Sequence, residues 1–282
     1  MEAKTPKPAA PVAAATKKQE KISNVKGIGS AFIVILVCAA LAVCLFMFIM
    51  GDPANFSDND PVNGHPLNYM GTVYKGGIIV PILITLLFTV IVLSIERWIA
   101  LSSAKGKGSI PKFVLDIKED LAAGKIDQAM GRCKKQKGSV AAVVSAALNR
   151  YAEMDANTVL TKEQKIATIQ KEVEEATAIE MPSLQQNLPI VATLTTLGTL
   201  VGLLGTVIGM IKSFQALSAS GAPDSTELST GISEALVNTA FGIATGAFAV
   251  ISYNFYTNKI DNLTYAIDEV GFSIVQSFAA TH

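Results

Sequence analysis

The sequence predicts an all-α integral membrane protein: four transmembrane helices, with long helices extending into a cytoplasmic helical domain. Three observations carry this expectation. The 282 residues are 50% hydrophobic and 16% charged, whereas soluble domains carry about 25% charge. Four apolar runs are each long enough to cross a hydrocarbon core of about 30 Å. The one large polar stretch between them repeats its apolar residues at helical spacing. The 23 Lys+Arg balance 23 Asp+Glu, so no basic face is available to neutralise phosphates and no nucleic-acid partner is expected.

Residues 1–27, rich in Ala, Pro and Lys, cannot bury a core and are expected to form a disordered cytoplasmic tail. Residues 28–50 hold the first span, whose uncharged run SAFIVILVCAALAVCLFMFIM is longer than the apolar region of a signal peptide. The GDPANFSDND that follows has no small-residue cleavage pattern. Residues 51–76 read as a short polar periplasmic loop. Residues 77–95 form the second span, ended by Glu96, Arg97 and Trp98 at an interface. Both of these spans are built of large aliphatic residues and are expected to face lipid.

Residues 96–186 are the cytoplasmic helical domain. FVLDIKEDLAAGKIDQAMGRC reads as two helices broken at Gly124, and VAAVVSAALNRYAEM as a third. TKEQKIATIQKEVEEATAIE carries mixed charge at i,i+4 spacing and is expected to run straight into the third span. Residues 187–256 contain the third and fourth spans, and 257–282 a cytoplasmic C-terminal helix. Lys+Arg number 6 in the tail, 1 in the 51–76 loop, 14 in 97–185 and none in 216–227. The positive-inside rule then puts both termini and the large segment in the cytoplasm.

Cys38, Cys44 and Cys133 form neither a disulfide framework nor a zinc pattern. With only His65 and His282, there is little from which to build a His-ligated metal site or a catalytic triad. No set of nucleophile, base and orienting group is present, so no enzyme, metal or cofactor is expected.

The chemistry concentrates in the last two spans, where small residues let helix backbones approach closely. Thr195, Thr199, Thr206 and Ser213 fall within about 40° of one line on a helix. Gly198, Gly202, Gly205 and Gly209 form a stripe beside them. In the fourth span Glu234 shares a face with Asn238, Thr245 and Ser252, while Gly231, Ala235, Gly242, Gly246 and Ala249 make a close-packing face edged by Thr239. A carboxylate at the centre of a membrane helix costs about 2.5–3.5 kcal/mol to insert, so such residues usually mark ion pathways. Two readings stay open here. The hydroxyls either wall a pathway or bond back to their own helix, and Glu234 either exchanges protons or lies at the outer interface, solvated or paired with Lys212.

At VGLLGTVIGMIKSF and GISEALVNTAFGIATGAFAVISYNFY the sequence resembles the MotA/TolQ/ExbB proton-channel family, most closely its ExbB-type members. IERW and IDQAMGRCKKQKGSVAAVVSAAL add to the resemblance, which covers about residues 77 to 270. The resemblance implies a homopentameric ring in the bacterial inner membrane around the helices of an ExbD-like single-span subunit. Proton flow, with no cofactor, would drive a TonB-like protein that serves outer-membrane transporters. It also implies a proton pathway through Glu234, Thr239 and Thr206, to which the polar stripes add Thr199, Asn238 and Thr245. The glycines Gly198, Gly202, Gly205, Gly209, Gly242 and Gly246 would pack the helices. The sequence departs from the family in having Thr199 where a proline is frequent, and in the extra span at residues 28–50. Other roles within the family are a TolQ-like subunit or a gliding or flagellar stator; outside it, a non-conducting membrane scaffold.

Overall fold

A computed structural model describes residues 31–62, 64–219 and 225–282. The expected tail at 1–27 lies outside the described residues. Among those described there is no β-strand, and four helical stretches are long and apolar enough to span a membrane. Helix α1, Ala31–Cys44, continues as a π-helical segment, Leu45–Met50. It packs one narrow stripe inward, Ala31, Val34, Cys38 and Ala42. Phe32, Ile33, Leu36, Leu41 and Phe48 point outward, a composition suited to lipid.

The 51–76 segment is more than a loop. Two 3-10 turns, Pro53–Asn55 and Ser57–Asn59, and helix α2, Tyr69–Lys75, close over the buried Phe56. The Asn68 side chain caps α2 by accepting from the Gly71 amide at 2.9 Å, and its Nδ2 donates to Asn55 Oδ1 at 2.8 Å. Composition alone read as loop because a single aromatic, rather than an apolar period, organises the segment.

Helix α3, Ile79–Lys105, runs between α1 on one side and the last two helices on the other. The expectation that both early spans face lipid therefore holds for α1 only. Among the four apolar spans, α3 is the most buried inside the chain, because it is sandwiched. Gly106, with φ 77, ends it.

The helical domain between the second and third spans comprises α4, Ile110–Ala122; α5, Ile126–Gln136; α6, Gly138–Asp155; and α7, Lys162–Gln185. Gly124, with φ 71, makes the expected break between α4 and α5, since L side chains rarely adopt that conformation. The Thr161 side chain accepts from the Gln164 amide and the Gln164 side chain from the Thr161 amide, a capping box that starts α7. These helices bury one core that includes Phe113, Ile117, Cys133, Leu148, Ile267 and Phe278. Burial pushes the Cys133 thiol up to about 12, and only the thiolate reacts with alkylating reagents. Iodoacetamide in mildly alkaline buffer is expected to leave Cys133 unmodified in the folded protein and to label it after denaturation, as read by peptide mass spectrometry.

Helix α7 does not run straight into the third span. It stops at Gln185, Asn187 adopts φ 62, and α8, Leu188–Ala219, begins afresh. Pro189 is the cause, since its ring would clash with the carbonyl four residues earlier, that of Gln185. Helix α9, Ser225–Thr281, has 57 residues, about 85 Å at 1.5 Å per residue. The fourth span and the C-terminal helix are thus one rod, with no breaking residue at Thr257.

Candidate functional site: the α8/α9 helix pair

The glycines of α8 and α9 form the seam of an antiparallel hairpin. A Cβ added to Gly202 would stand 2.9 Å from the Gly242 Cα, and one added to Gly242 would stand 2.7 Å from the Gly202 Cα. Gly198 receives Thr245, Gly205 receives Asn238, Gly209 receives Ala235, and Gly246 faces Thr195 and Thr199. Each of the six glycines stands against the facing helix, and Gly202 and Gly242 stand against each other.

Asn238 and Thr245 lie inside this seam rather than on its open side. They are 1% and 0% exposed. Thr245 Oγ1 donates to the Phe241 carbonyl of its own helix at 2.8 Å, and Asn238 Nδ2 donates to the Gly76 carbonyl at 3.1 Å. The two polar residues fill the notches left by Gly198 and Gly205. Helical spacing put them on the face of Glu234, but a face 100° wide covers both the seam and its edge.

Thr206 and Thr239 meet across the hairpin, with their hydroxyl oxygens 2.5 Å apart. Thr206 also donates to the Gly202 carbonyl at 3.2 Å. Thr199, on the open side, donates to the Thr195 carbonyl at 3.3 Å, Thr195 to Val191 and Ser213 to Gly209. The hydroxyls of Thr195, Thr199, Thr206 and Ser213 thus all bond back to their own helix, and of the four only Thr206 lines the groove beside α8. That groove, about 580 Å³, runs beside Thr206 along Val207, Met210, Ile211 and Phe214.

Glu234 is 9% exposed and its Oε1 accepts from Lys212 Nζ at 2.8 Å. The backbone of Gly77, with φ 74, walls the carboxylate so closely that an added Cβ would stand 2.6 Å from Oε1. The pair marks one end of the apolar slab. The other end lies about 33 Å down α9 at 1.5 Å per residue, where Tyr256 Oη donates to the Ser94 carbonyl at 2.6 Å. There the Lys259 ammonium sits over the parallel rings of Trp98 and Phe255, 4.2 and 4.6 Å from their centroids. Aromatic rings beside a cation suit an interface. Thr206 and Thr239 lie about 8 Å inward of Glu234.

Sequence reasoning placed Glu96 and Arg97 at an interface and missed their role. Arg97 is fully buried, its guanidinium forked onto the Glu96 carboxylate, with Nε to Oε2 at 2.6 Å. Its Nη1 donates to the carbonyls of Ser183 and Leu184 at 3.3 Å each, and Asn187 Nδ2 reaches Glu96 at 3.4 Å. Arg97 thereby satisfies the orphan carbonyls at the end of α7. The signal was Pro189, which implies a helix end that something must cap. No group of three or more His, Cys, Asp or Glu that could hold a metal occurs among the described residues.

The sequence model of the MotA/TolQ/ExbB proton channel family matches residues 135–269, a stretch that contains all of α8 and α9 as far as residue 269. Over these residues, just under half of its length, the chain is similar to the MotA/TolQ/ExbB proton channel family. The Tol-Pal system protein TolQ of Pseudomonas aeruginosa is 25% identical over 184 residues, 63% of this chain and 79% of that protein. A putative biopolymer transport protein ExbB homolog of Methanothermobacter thermautotrophicus is 24% identical over 212 residues, 72% of this chain and 68% of its own. Biopolymer transport protein ExbB of Helicobacter pylori is 37% identical over 81 residues, 29% of this chain and 56% of that protein. Four helices long and apolar enough to cross a membrane, together with the match to a membrane-channel family, support a multi-pass membrane protein. The matched stretch begins near the end of α5 and so follows α1, the segment closed over Phe56, α3 and α4.

Proposed function

We propose that this chain is an ExbB-like subunit of a proton-driven motor in the bacterial inner membrane, with both termini in the cytoplasm. Several copies, five by family resemblance, form a ring around the helices of an ExbD-like single-span partner and pass the motion to a TonB-like protein. The observation that carries the reading is the alignment of Glu234 with the Thr206–Thr239 pair along one helix hairpin. A carboxylate at the edge of the slab can take a proton, and paired hydroxyl oxygens one step inward can accept it onward. Each proton crossing the membrane supplies about 2.3 kcal/mol per 100 mV. The apolar faces left open on α8 and α9, with Leu200, Leu203, Val207, Ile243 and Phe248 exposed in the single chain, are the surfaces that neighbouring copies and the partner would cover.

Replacing Glu234 by Gln tests this. Full-length protein, co-expressed with its single-span partner in membrane vesicles, is expected to lose proton flux by about ten-fold or more, the equivalent of 1.4 kcal/mol in a barrier. Thr239→Val should lower flux less. Wild-type flux in Glu234→Gln would sink the channel reading and favour a scaffold. A TolQ-like role is the second reading, favoured by the long match to the Pseudomonas aeruginosa protein. Loss of TonB-dependent uptake in the Glu234→Gln strain supports the ExbB-like role, and loss of envelope integrity with uptake intact supports the TolQ-like one.

A further inference from the structure

We propose that Lys212 is a built-in lock on Glu234: its ammonium holds the carboxylate as an ion pair, and must let go before the carboxylate can take a proton. This rests on the reading of Glu234 as the carboxylate of the proton path, and adds the residue that controls when it becomes available.

The carboxylate is enclosed on every side but one. Gly77 stands against it so tightly that no side chain fits between. Gly209 meets Ala235, the residue next to Glu234, across the seam, and Asn238, one turn further in, is bonded to the Gly76 carbonyl. The remaining side is Lys212, whose side chain is 54% exposed while that of Glu234 is 11% exposed. Access from the surface to the carboxylate therefore passes the ammonium group.

Among the described side chains the only ion pair recorded for Glu234 is that with Lys212. On α9 the next charged residue inward is Lys259, and on α3 the first is Glu96, at the far end of the slab. The helix α1 and its π segment carry none. On α2 the Lys75 ammonium donates to the Val62 carbonyl at 2.7 Å and lies over the Phe56 ring at 5.6 Å, so it is engaged elsewhere. A nearly buried carboxylate keeps its charge only with a partner, and removing the partner leaves an uncompensated anion that relieves the cost by binding a proton. In the working step, a proton from water at this end of the slab adds to a Glu234 carboxylate oxygen. Lys212 keeps its own proton and swings into the water, so charge and protons balance.

The test is labelling of Glu234 by dicyclohexylcarbodiimide, which adds to protonated carboxyl groups in apolar surroundings. Full-length protein in native membrane vesicles is treated near neutral pH, and the Glu234 peptide is quantified by mass spectrometry. Wild type should label slowly. Lys212→Met should label about ten-fold faster, a fold-change equivalent to about 1.4 kcal/mol. Lys212→Gln, which keeps a hydrogen-bond donor but no charge, should match Lys212→Met and stands in for it if that variant fails to assemble. Lys212→Arg should label like wild type. Neutral variants that label at the wild-type rate, in protein where Glu234→Gln abolishes proton flux, would overturn the lock and leave the proton path standing. Wild-type flux in Glu234→Gln would overturn the proton path itself, whatever the labelling shows.

Discussion

A leucine at Gly202 will stop the α8/α9 hairpin from forming, and the full-length protein is expected to disappear from the membrane fraction. The Gly202 and Gly242 backbones touch, so even a methyl group at Gly202 would stand 2.9 Å from the Gly242 Cα and 3.1 Å from the Asn238 carbonyl oxygen. Neither contact is with a flexible side chain, so the helices must separate. Overpacking ordinarily costs about 1–3 kcal/mol, and a leucine driven into a backbone contact belongs at or beyond the top of that range. Separation also pulls Thr206 from Thr239 and Lys212 from Glu234, so protein that does assemble should not conduct. Gly131→Ala is the control. It lies within α5, where an added Cβ meets nothing within 4 Å, and it should leave the protein unchanged or stabilise it by up to about 1 kcal/mol. Quantitative blotting of membranes and a thermal unfolding scan in detergent read both. Wild-type abundance for Gly202→Leu would show that the hairpin can open without cost.

The second large effect is expected at Arg97. Arg97→Met removes the guanidinium from Glu96, itself only 8% exposed, and strips the Ser183 and Leu184 carbonyls of their donor. Breaking a buried ion pair from one side costs about 3–5 kcal/mol, and the loss falls where α3 holds the end of α7. Limited proteolysis should then cut near Gln186 and Asn187 in the variant and spare the wild type. Arg97→Lys should recover only part of the stability, because one ammonium cannot fork onto a carboxylate and also reach two carbonyls. The double variant Glu96→Gln, Arg97→Met should be less damaged than Arg97→Met alone, since no charge is then left buried without its partner. A double variant as unstable as the single would assign the effect to lost packing instead of charge.

Much of this was legible in the sequence because it is local. Runs of apolar residues long enough to cross a bilayer identify themselves, as do Gly124 between two amphipathic helices and the small residues of α8 and α9. So did the two signatures around Thr206 and Glu234, since the side chains there are spaced by the helix itself. Other features depend on what lies across a gap of many residues. Asn238 and Thr245 share a helical face with Glu234, yet they enter the hairpin seam because Gly205 and Gly198 leave room opposite. The assignment of α1 and α3 to lipid divided for the same reason, α3 being packed from both sides.

By itself the sequence determined that the chain crosses a membrane in helices and which helix pair carries the polar groups, because hydropathy and helical period are properties of neighbouring residues. Only the tertiary structure decided which of those groups meet. Thr206 finds Thr239, 33 residues on; Lys212 finds Glu234, 22 residues on; and Arg97 caps carbonyls 86 and 87 residues away. Such pairings follow from how rods of fixed period lean on one another, and a side chain's partner is set by the depth and rotation at which two helices pack, which no single stretch of residues encodes.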